Sequence, residues 1–390
     1  SGRVIIAPGT ALAKAMADLF HRLSGYCTFC SVHLSTLTDS SGILRALIRQ
    51  PFNTMKTIDV IGIGNALVDQ EFEVTDDFLQ KHNLKKGMME LIDEDAQNTL
   101  IAELSELGEL KKQCGGGSAA NSLVAFAQFG GKAYYCCKVA DDEAGMFYRQ
   151  DLEQVGIETS LKKQQNPGIT GRCLVMVTPD AERTMRTHLG ITADLSTVEI
   201  DDHAIAAANY LYIEGYLITS EIARGAIQHA KKVARDNNTK LVMTCSDPAM
   251  VKFFRDGIDE ILEGGVDLMF CNREEAELLT GKEDPQAALS VLLKQADTVA
   301  ITLGKDGALI ANRERQVHVP GVPVKAIDTN GAGDMFAGAM LYGLTRNMSL
   351  EDAGRLASHA AAELVTEFGA RLDKERQQQL IERVMKAQTA

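Results

Sequence analysis

The segment AIDTNGAGDMFAGAML, residues 326–341, joins a glycine-rich turn to an apolar stretch with helical spacing. Gly331 and Gly333 flank Ala332, and Asp334 follows immediately. Glycines at such a junction allow several backbone N–H groups to converge, and the N-terminus of the following helix adds partial positive charge. The segment therefore predicts an anion site. Asp334 either complements the helix dipole or acts as a general base beside the anion, and this segment alone leaves both interpretations open.

The composition narrows the class of partner. The chain has 390 residues, a hydrophobic fraction of 45% and a formal net charge of −13. This charge argues against nucleic acid as the main ligand, because phosphate backbones require concentrated Lys and Arg. No apolar run approaches the ~20 residues that span a bilayer, so we expect no membrane partner. The scattered cysteines lack the density of a disulfide framework. A lone C-x-x-C at Cys27 and Cys30 is a weak signal for a zinc site or a redox role. We expect a cytoplasmic protein.

Residues 1–54 differ in character from the rest of the chain. They hold five basic and two acidic residues, whereas the segment that starts at Met55, MKTIDVIGIG, predicts a short polar lead into a buried strand. We expect residues 1–54 to be a non-catalytic extension, and organelle targeting by this basic segment stays open. Residues 55–390 are expected to form the functional domain.

From residue 58 onward, short β-branched runs alternate with helical patterns. The predicted strands are 58–64, 208–217, 240–246, 267–272 and 298–304, and the clearest helices are 220–237 and 284–297. This alternation predicts an α/β fold with a central, mostly parallel sheet flanked by helices, and ligands at the carboxyl ends of the strands. Residues 71–113 and 166–192 break the rhythm, and we expect them to supply either a small β lid or simple edge strands.

A second glycine segment, CGGGSAANSLVAFAQFGG at residues 114–131, precedes a helix of small residues. It predicts either a flexible loop with a closely packed helix or a close approach of backbone to a polyhydroxyl ligand. Asn121 lies in its first turns and offers both a donor and an acceptor to such a ligand.

Together these segments resemble the signatures of the ribokinase (pfkB) family of carbohydrate and nucleoside kinases. Residues 328–334 match D-T-x-G-A-G-D at every position, and three further stretches resemble family motifs in the same order: GNALVDQ (64–70), CNREEAELL (271–279) and ITLGKDGALI (301–310). Within the family, EGYLIT (214–219) and ERTMRTHLG (182–190) look most similar to the adenosine kinases.

The resemblance implies a ribokinase-like fold and ATP-dependent phosphorylation of the 5′-hydroxyl of a purine nucleoside, adenosine to AMP foremost. It leaves open inosine, guanosine, or a sugar such as ribose or fructose as acceptor, and a monomer or a homodimer as the assembly. Mg²⁺ is an implied cofactor, and K⁺ is implied near Asp328 and Gly369. A non-catalytic nucleoside-binding module would lack the base or the anion-site glycines, and both are present here.

The resemblance also implies roles for single residues. Asp334 would be the base, while Arg183 and the backbone of Gly331, Ala332 and Gly333 would hold the transferring phosphoryl group. The acceptor would be bound by Asn65, Asp69, Gly116, Gly117, Ser118 and Asn121. ATP would be bound by Asn272, Glu275, Thr302, Gly304, Gly307, Asn330 and His359, with Glu275 holding Mg²⁺ through water. Met185 and Leu189 are apolar candidates for the base pocket.

Overall fold

A computed structural model describes residues 56–107, 110–161 and 166–386. The prediction of a non-catalytic extension at residues 1–54, together with the C-x-x-C pair, lies outside the described residues. Among the described helices, none combines the length and the apolar character that a bilayer span requires.

Two sheets contain all the strands of the described residues. These strands are β1 (Ile58–Ile63), β2 (Leu67–Glu73), β3 (Met89–Leu91), β4 (Lys112–Gly116), β5 (Ala133–Cys136), β6 (Glu158–Thr159), β7 (Thr170–Val177), β8 (Arg183–Gly190), β9 (Ala208–Glu214), β10 (Lys240–Thr244), β11 (Val266–Asn272), β12 (Ala296–Thr302), β13 (Ala308–Asn312) and β14 (Gln316–Val319).

The nine-stranded main sheet has the order β14-β13-β12-β11-β10-β9-β1-β5-β6. Its strands from β12 to β6 pair in parallel, and only β13 and β14 pair antiparallel. The predicted α/β class with a mostly parallel sheet is confirmed. Parallel strands need crossover connections, which here are helices that cover both faces of the sheet.

The helices are α1 (Asp76–Lys81), α2 (Glu94–Leu107), α3 (Ser118–Gln128), α4 (Glu143–Gln154), α5 (Asp202–Ala207), α6 (Glu221–Asp236), α7 (Pro248–Phe253), α8 (Arg255–Leu262), α9 (Arg273–Thr280), α10 (Pro285–Leu292), α11 (Ala332–Thr345), α12 (Leu350–Leu364) and α13 (Lys374–Lys386). Helix α6 begins where the sequence predicts, because the Ser220 side chain accepts a hydrogen bond from the backbone of Ala223.

Successive residues of β1 belong to the two cores on opposite faces of the main sheet. Val60 packs in the core that contains Phe126 of α3, whereas Ile61 packs in the core that contains Ile227 of α6. A strand buried on both faces needs apolar residues at every position, which explains the uninterrupted run VIGI in this strand.

The second sheet has five strands in the order β3-β8-β7-β2-β4. Its strands come from residues 67–116 and 170–190, and β7 and β8 form an antiparallel hairpin. Residue pairs across this sheet bring Asp69 beside Cys173, Cys173 beside Thr187, and Thr187 beside Leu91. One face of the second sheet therefore carries a row of four side chains, one from each of β2, β7, β8 and β3.

Candidate active site

A cavity of about 1090 Å³ lies at the carboxyl edge of the main sheet and is bordered by the second sheet. Several strands end at its wall: Asn65 follows β1, and the last residues of the next strands in the sheet, Glu214, Thr244, Asn272 and Thr302, all line it. Ligands of doubly wound sheets bind at this edge because loops and helix N-termini converge there. The cavity is the candidate active site.

The predicted anion loop forms one wall of the cavity. Gly331, the N-cap of α11, has φ +72°, and a side chain there would overlap the backbone of Ala370. Asp328 shapes the loop from beneath, because its carboxylate accepts hydrogen bonds from the backbone N–H of Asn330 at 2.8 Å and of Gly369 at 2.9 Å. The N-terminus of α11 consequently opens toward the cavity with its backbone donors and its dipole.

Asp334 lies in the first turn of α11 and lines the cavity. The hydroxyl of Ser118 donates to its Oδ1 at 2.6 Å, and the amide of Asn121 faces its Oδ2 at 3.4 Å. Burial raises the pKa of Asp334 to about 6, although these two donors favour the ionised form. A carboxylate with a pKa near 6, held next to an anion site, has the properties of a general base at neutral pH.

The polar side of the cavity near α3 contains Asn65, Asp69 and the turn of Gly117 and Ser118. Asp69 lies on β2 and is almost fully buried. Burial, together with the neighbouring charge of Glu71, raises the pKa of Asp69 well above its usual range. Hydroxyl donors of a ligand would stabilise the ionised carboxylate and so gain from binding there.

Gly116 does not line the cavity but determines where Asp69 lies. A Cβ atom on Gly116 would overlap the Asp69 carboxylate, which is packed against this glycine across the β2–β4 pair. The resemblance implies that Gly116 binds the acceptor; the structure instead places it behind the carboxylate, where only glycine leaves enough room.

Sequence reasoning missed Glu214, which stands at the same wall with no exposed surface. Its carboxylate accepts hydrogen bonds from the backbone and the side-chain amide of Asn65 at 3.2 and 2.9 Å and from the backbone N–H of Ala119 at 2.8 Å. Burial raises the pKa of Glu214 to about 7, against these three donors. The sequence signals were its place at the end of a buried strand and at the start of EGYLIT (214–219), for which we predicted no role of its own.

The opposite end of the cavity is formed by β11, β12 and the turns after them. Asn272 caps α9 and Glu275 completes a capping box: the Asn272 oxygen accepts from the Glu275 backbone at 2.8 Å, and a Glu275 oxygen accepts from the Asn272 backbone at 2.7 Å. Burial, with a smaller contribution from Asp247, raises the pKa of Glu275 to about 8. Thr302, Gly304 and Gly307 line the same end.

The second sheet contributes a mostly apolar wall. Its cavity-lining side chains are Leu67, Asp69, Met89, Leu91, Cys173, Arg183, Met185, Thr187 and Leu189. Asp69 is the only ionisable carboxylate in that set, and it lies in register with Cys173 and Thr187. This wall therefore offers the carboxylate of Asp69 among mainly apolar side chains, with the guanidinium of Arg183 at its end beside the anion loop.

Arg183 connects the second sheet to the anion loop. It lines the cavity at the start of β8, and its guanidinium donates to the carbonyl of Thr329 at 3.3 Å. The Thr329 hydroxyl donates in return to the carbonyl of Ala181 at 3.0 Å. The turn between β7 and β8 is thus in contact with the loop that precedes Asp334.

The structure does not place His359 at the cavity. The cavity-lining face of α12 consists of Ser358, Ala361, Ala362 and Val365, and His359 is turned about 100° away from Ser358 on the helix. Burial and the nearby positive charges of Arg383 and Arg355 lower the pKa of His359. Asp328 also lies outside the cavity wall, as the loop contacts above explain, whereas Asn330 lines it.

Two further buried charged residues support the site without lining it, and neither could be recognised from the sequence because charged side chains are usually exposed. Glu71 accepts a hydrogen bond from the side-chain amide of Asn330 at 2.8 Å. Arg371 donates to the side-chain oxygen of Asn121 at 2.8 Å.

The chain is similar to kinases of known families. The sequence matches the pfkB family of carbohydrate kinases over residues 86–377. Adenosine kinase of Saccharomyces cerevisiae is 28% identical, over 80% of this chain and 96% of that protein. Ribokinase of Haemophilus influenzae is 29% identical, over 68% of this chain and 86% of that protein.

A solved structure, adenosine kinase from Sinorhizobium meliloti, superposes with a TM-score of 0.78 and 33% identity, over 85% of this chain and 99% of that one. The expected ribokinase-like fold is confirmed by this likeness. The chain therefore belongs to the pfkB family of carbohydrate kinases, and it is a phosphotransferase that uses ATP to phosphorylate an alcohol group of a carbohydrate or nucleoside.

Proposed function

We propose that the protein phosphorylates the 5′-hydroxyl of a purine nucleoside, with adenosine, converted to AMP, as the preferred acceptor. The observation that supports this acceptor is the wall of the second sheet, where Asp69 stands among mainly apolar side chains and Arg183 lies at the end beside the anion loop. A nucleoside has both features that such a wall complements: ribose hydroxyls for the carboxylate and a flat apolar base for Met185 and Leu189. A monosaccharide alone would leave much of this apolar surface in contact with water.

The acceptor would be held from two sides. Asp69 would accept hydrogen bonds from ribose hydroxyls, and Asn65, whose amide donates to Glu214 behind it, would contact the same ribose. Ser118, Asn121 and the backbone of Gly117 border the same space. Several polar groups that are already oriented by the fold reduce the entropy lost when the substrate binds.

The reaction itself needs one proton transfer and one displacement. Asp334 takes the proton of the 5′-hydroxyl as this oxygen forms a bond to the γ-phosphorus of ATP, and the bond from that phosphorus to the β–γ bridging oxygen breaks to release ADP. The backbone N–H groups at Gly331, Ala332 and Gly333, with the guanidinium of Arg183, stabilise the charge on the transferring phosphoryl oxygens.

ATP would lie along Thr302, Gly304 and Gly307, with its phosphates directed at the anion loop and Asn330. The carboxyl of Glu275 lines the cavity at this end, and Asp247 lies behind it and close enough to interact with it electrostatically, so the site offers the carboxylate oxygens that Mg²⁺ prefers. When bound, Mg²⁺ supplies charge neutralisation on the ATP phosphates. Glu275 would hold it through water, since one of its oxygens is engaged in the capping box.

The residues near Asp328 fit a bound K⁺ less well than Glu275 and Asp247 fit Mg²⁺. Both oxygens of Asp328 accept backbone N–H groups. Beside this loop the ammonium of Lys112 donates to the carbonyls of Phe368 at 3.0 Å and Arg371 at 2.9 Å, so a cation of the protein already binds them. The proposed reaction therefore includes no step that requires K⁺.

A small sugar such as ribose or fructose is the second candidate acceptor, favoured by the similarity to ribokinase. The deciding experiment compares ATP turnover with adenosine, inosine, guanosine and ribose under identical conditions. We expect the highest kcat/KM with adenosine. A higher kcat/KM with ribose than with any nucleoside would assign the protein to the sugar kinases, and a preference for inosine or guanosine would change the base but keep the nucleoside class.

The role of Asp334 is tested by Asp334→Asn, which keeps the shape and the hydrogen-bond acceptor that faces Ser118. We expect kcat to fall by roughly 10²–10⁴-fold with ATP binding little changed, because only the proton transfer is removed. Retention of most of the turnover in the folded variant would show that Asp334 is a helix-dipole partner rather than the base.

A further inference from the structure

Arg371 is a buried arginine next to the candidate active site, and it does not line the cavity. Its Nε donates to Oδ1 of Asn121 at 2.8 Å, and one of its terminal nitrogens donates to the carboxylate of Asp151 on α4. Gly115 lies against this carboxylate, and a Cβ atom there would overlap it. Arg371 is thus fixed between an anchoring carboxylate and an amide that faces the site.

These contacts determine which way the Asn121 amide points. Because Oδ1 of Asn121 accepts from Arg371, its Nδ2 is the atom that faces Oδ2 of Asp334, at 3.4 Å. In the flipped orientation the amide oxygen would face a carboxylate oxygen and the NH₂ group would face the guanidinium, so two favourable contacts would become two repulsive ones. Arg371 therefore selects the orientation in which Asn121 is a donor to Asp334.

Two arginines, Arg183 and Arg371, favour the ionised form of Asp334 and so oppose the effect of its burial. The buried carboxylates of Asp69 and Glu214 are also close enough to interact with Asp334 electrostatically. Arg183 borders the cavity, where a bound phosphoryl group would compete for its charge. Arg371 lies behind Asn121, away from that competition, and so keeps its effect on Asp334 when substrates bind.

We propose that Arg371 is a positioning residue for phosphoryl transfer: anchored by Asp151, it orients Asn121 as a donor to Asp334 and keeps the carboxylate of Asp334 ionised for proton abstraction. This inference rests on the proposed role of Asp334 as the base. It adds a chain of contacts, Asp151 to Arg371 to Asn121 to Asp334, that joins α4 and the segment after α12 to the reacting group.

The test is Arg371→Met, which keeps length and apolar volume but removes the charge and the donors. We expect the acidic limb of kcat/KM to move to higher pH by about one unit, as the loss of a nearby opposite charge does for a carboxyl group. With a starting pKa of about 6, this shift lowers kcat/KM about fivefold at pH 6 and leaves it little changed at pH 9. An acidic limb that stays in place would overturn the inference.

Arg376→Met is the matched control, because Arg376 lies in the same C-terminal segment and forms ion pairs with Glu363 and Glu367 away from the cavity. It is expected to lower the melting temperature without moving the acidic limb. A shift of the limb as large as that of Arg371→Met would show a general charge effect and overturn the inference.

If Arg371→Met does not fold, Asp151→Asn removes the anchoring charge and leaves the arginine in place. We expect a lower kcat with the KM for ATP unchanged, because only the orientation of Asn121 is loosened; an unchanged kcat would overturn the inference. The variant Asp334→Asn distinguishes a failure of the proposed function from a failure of the role of Arg371. If that variant keeps its turnover, the proposed function of Asp334 fails; if it is inactive while Arg371→Met and Asp151→Asn behave like wild type, only the role of Arg371 fails.

Discussion

The substitution Gly116→Ala should weaken binding of the acceptor and leave binding of ATP unaffected. A methyl group at this position would overlap the carboxylate of Asp69, so that carboxylate must move. The backbone of Gly116 itself does not require glycine, since its φ is not in the left-handed region. The substitution therefore acts on Asp69 and not on the conformation of β4.

The magnitude follows from what Asp69 loses. A hydrogen bond to a charged group contributes about 1.5–3 kcal/mol, and a displaced carboxylate no longer makes it. We therefore expect kcat/KM for the acceptor to fall by roughly 10- to 150-fold, mainly through a higher acceptor KM. The KM for ATP should stay within about twofold of wild type, because the ATP-side residues Thr302 and Gly304 belong to another part of the cavity wall.

Steady-state kinetics with each substrate varied in turn measures both constants, and thermal unfolding confirms that the variant is folded. Gly225→Ala is the matched control: Gly225 lies in the exposed face of α6, and a Cβ atom there meets nothing within 4 Å. The control should raise stability by about 0.5–1 kcal/mol without any kinetic change. A folded Gly116→Ala enzyme with an unchanged acceptor KM, or with equal increases in both KM values, would refute the reasoning.

Two other predictions concern pH and monovalent cations. The pKa of Asp334 is raised to about 6 and the base must be deprotonated, so kcat/KM measured from pH 5 to 9 should be constant above about pH 7 and fall as the pH drops through 6; constant activity down to pH 5 would contradict this assignment. Lys112 binds the carbonyls of Phe368 and Arg371, so wild-type turnover should be equal in KCl and choline chloride, and Lys112→Met should become activated by KCl. Wild-type activity that depends on K⁺, or a variant that ignores it, would contradict the role of Lys112.

Local motifs explain why some elements of the candidate site could be located from the sequence. The glycine turn before Asp334 and the capping residues Asn272 and Glu275 act through neighbours within a few positions, so their pattern is legible in the sequence. The five predicted strands of the main sheet, β1 and β9 to β12, were also visible in the sequence, because burial on both faces leaves an uninterrupted apolar run. We assigned His359 to the ATP site, but it is the residue after Ser358 on α12. One residue along a helix is a rotation of about 100°, so His359 points away from the cavity that Ser358 lines.

The sequence by itself determined the α/β fold and placed Asp334 behind a glycine turn at the start of a helix, since both depend on short-range spacing. Only the tertiary structure identified Glu214, Glu71 and Arg371 as supports of the site. Glu214 meets Asn65 across 149 positions of the chain, and Arg371 meets Asn121 across 250. The sequence does not distinguish a charged residue that will be buried from one that will be exposed. The role of a buried one depends on the partners that folding brings to it, because a charge excluded from water needs a specific hydrogen-bond donor or counter-charge.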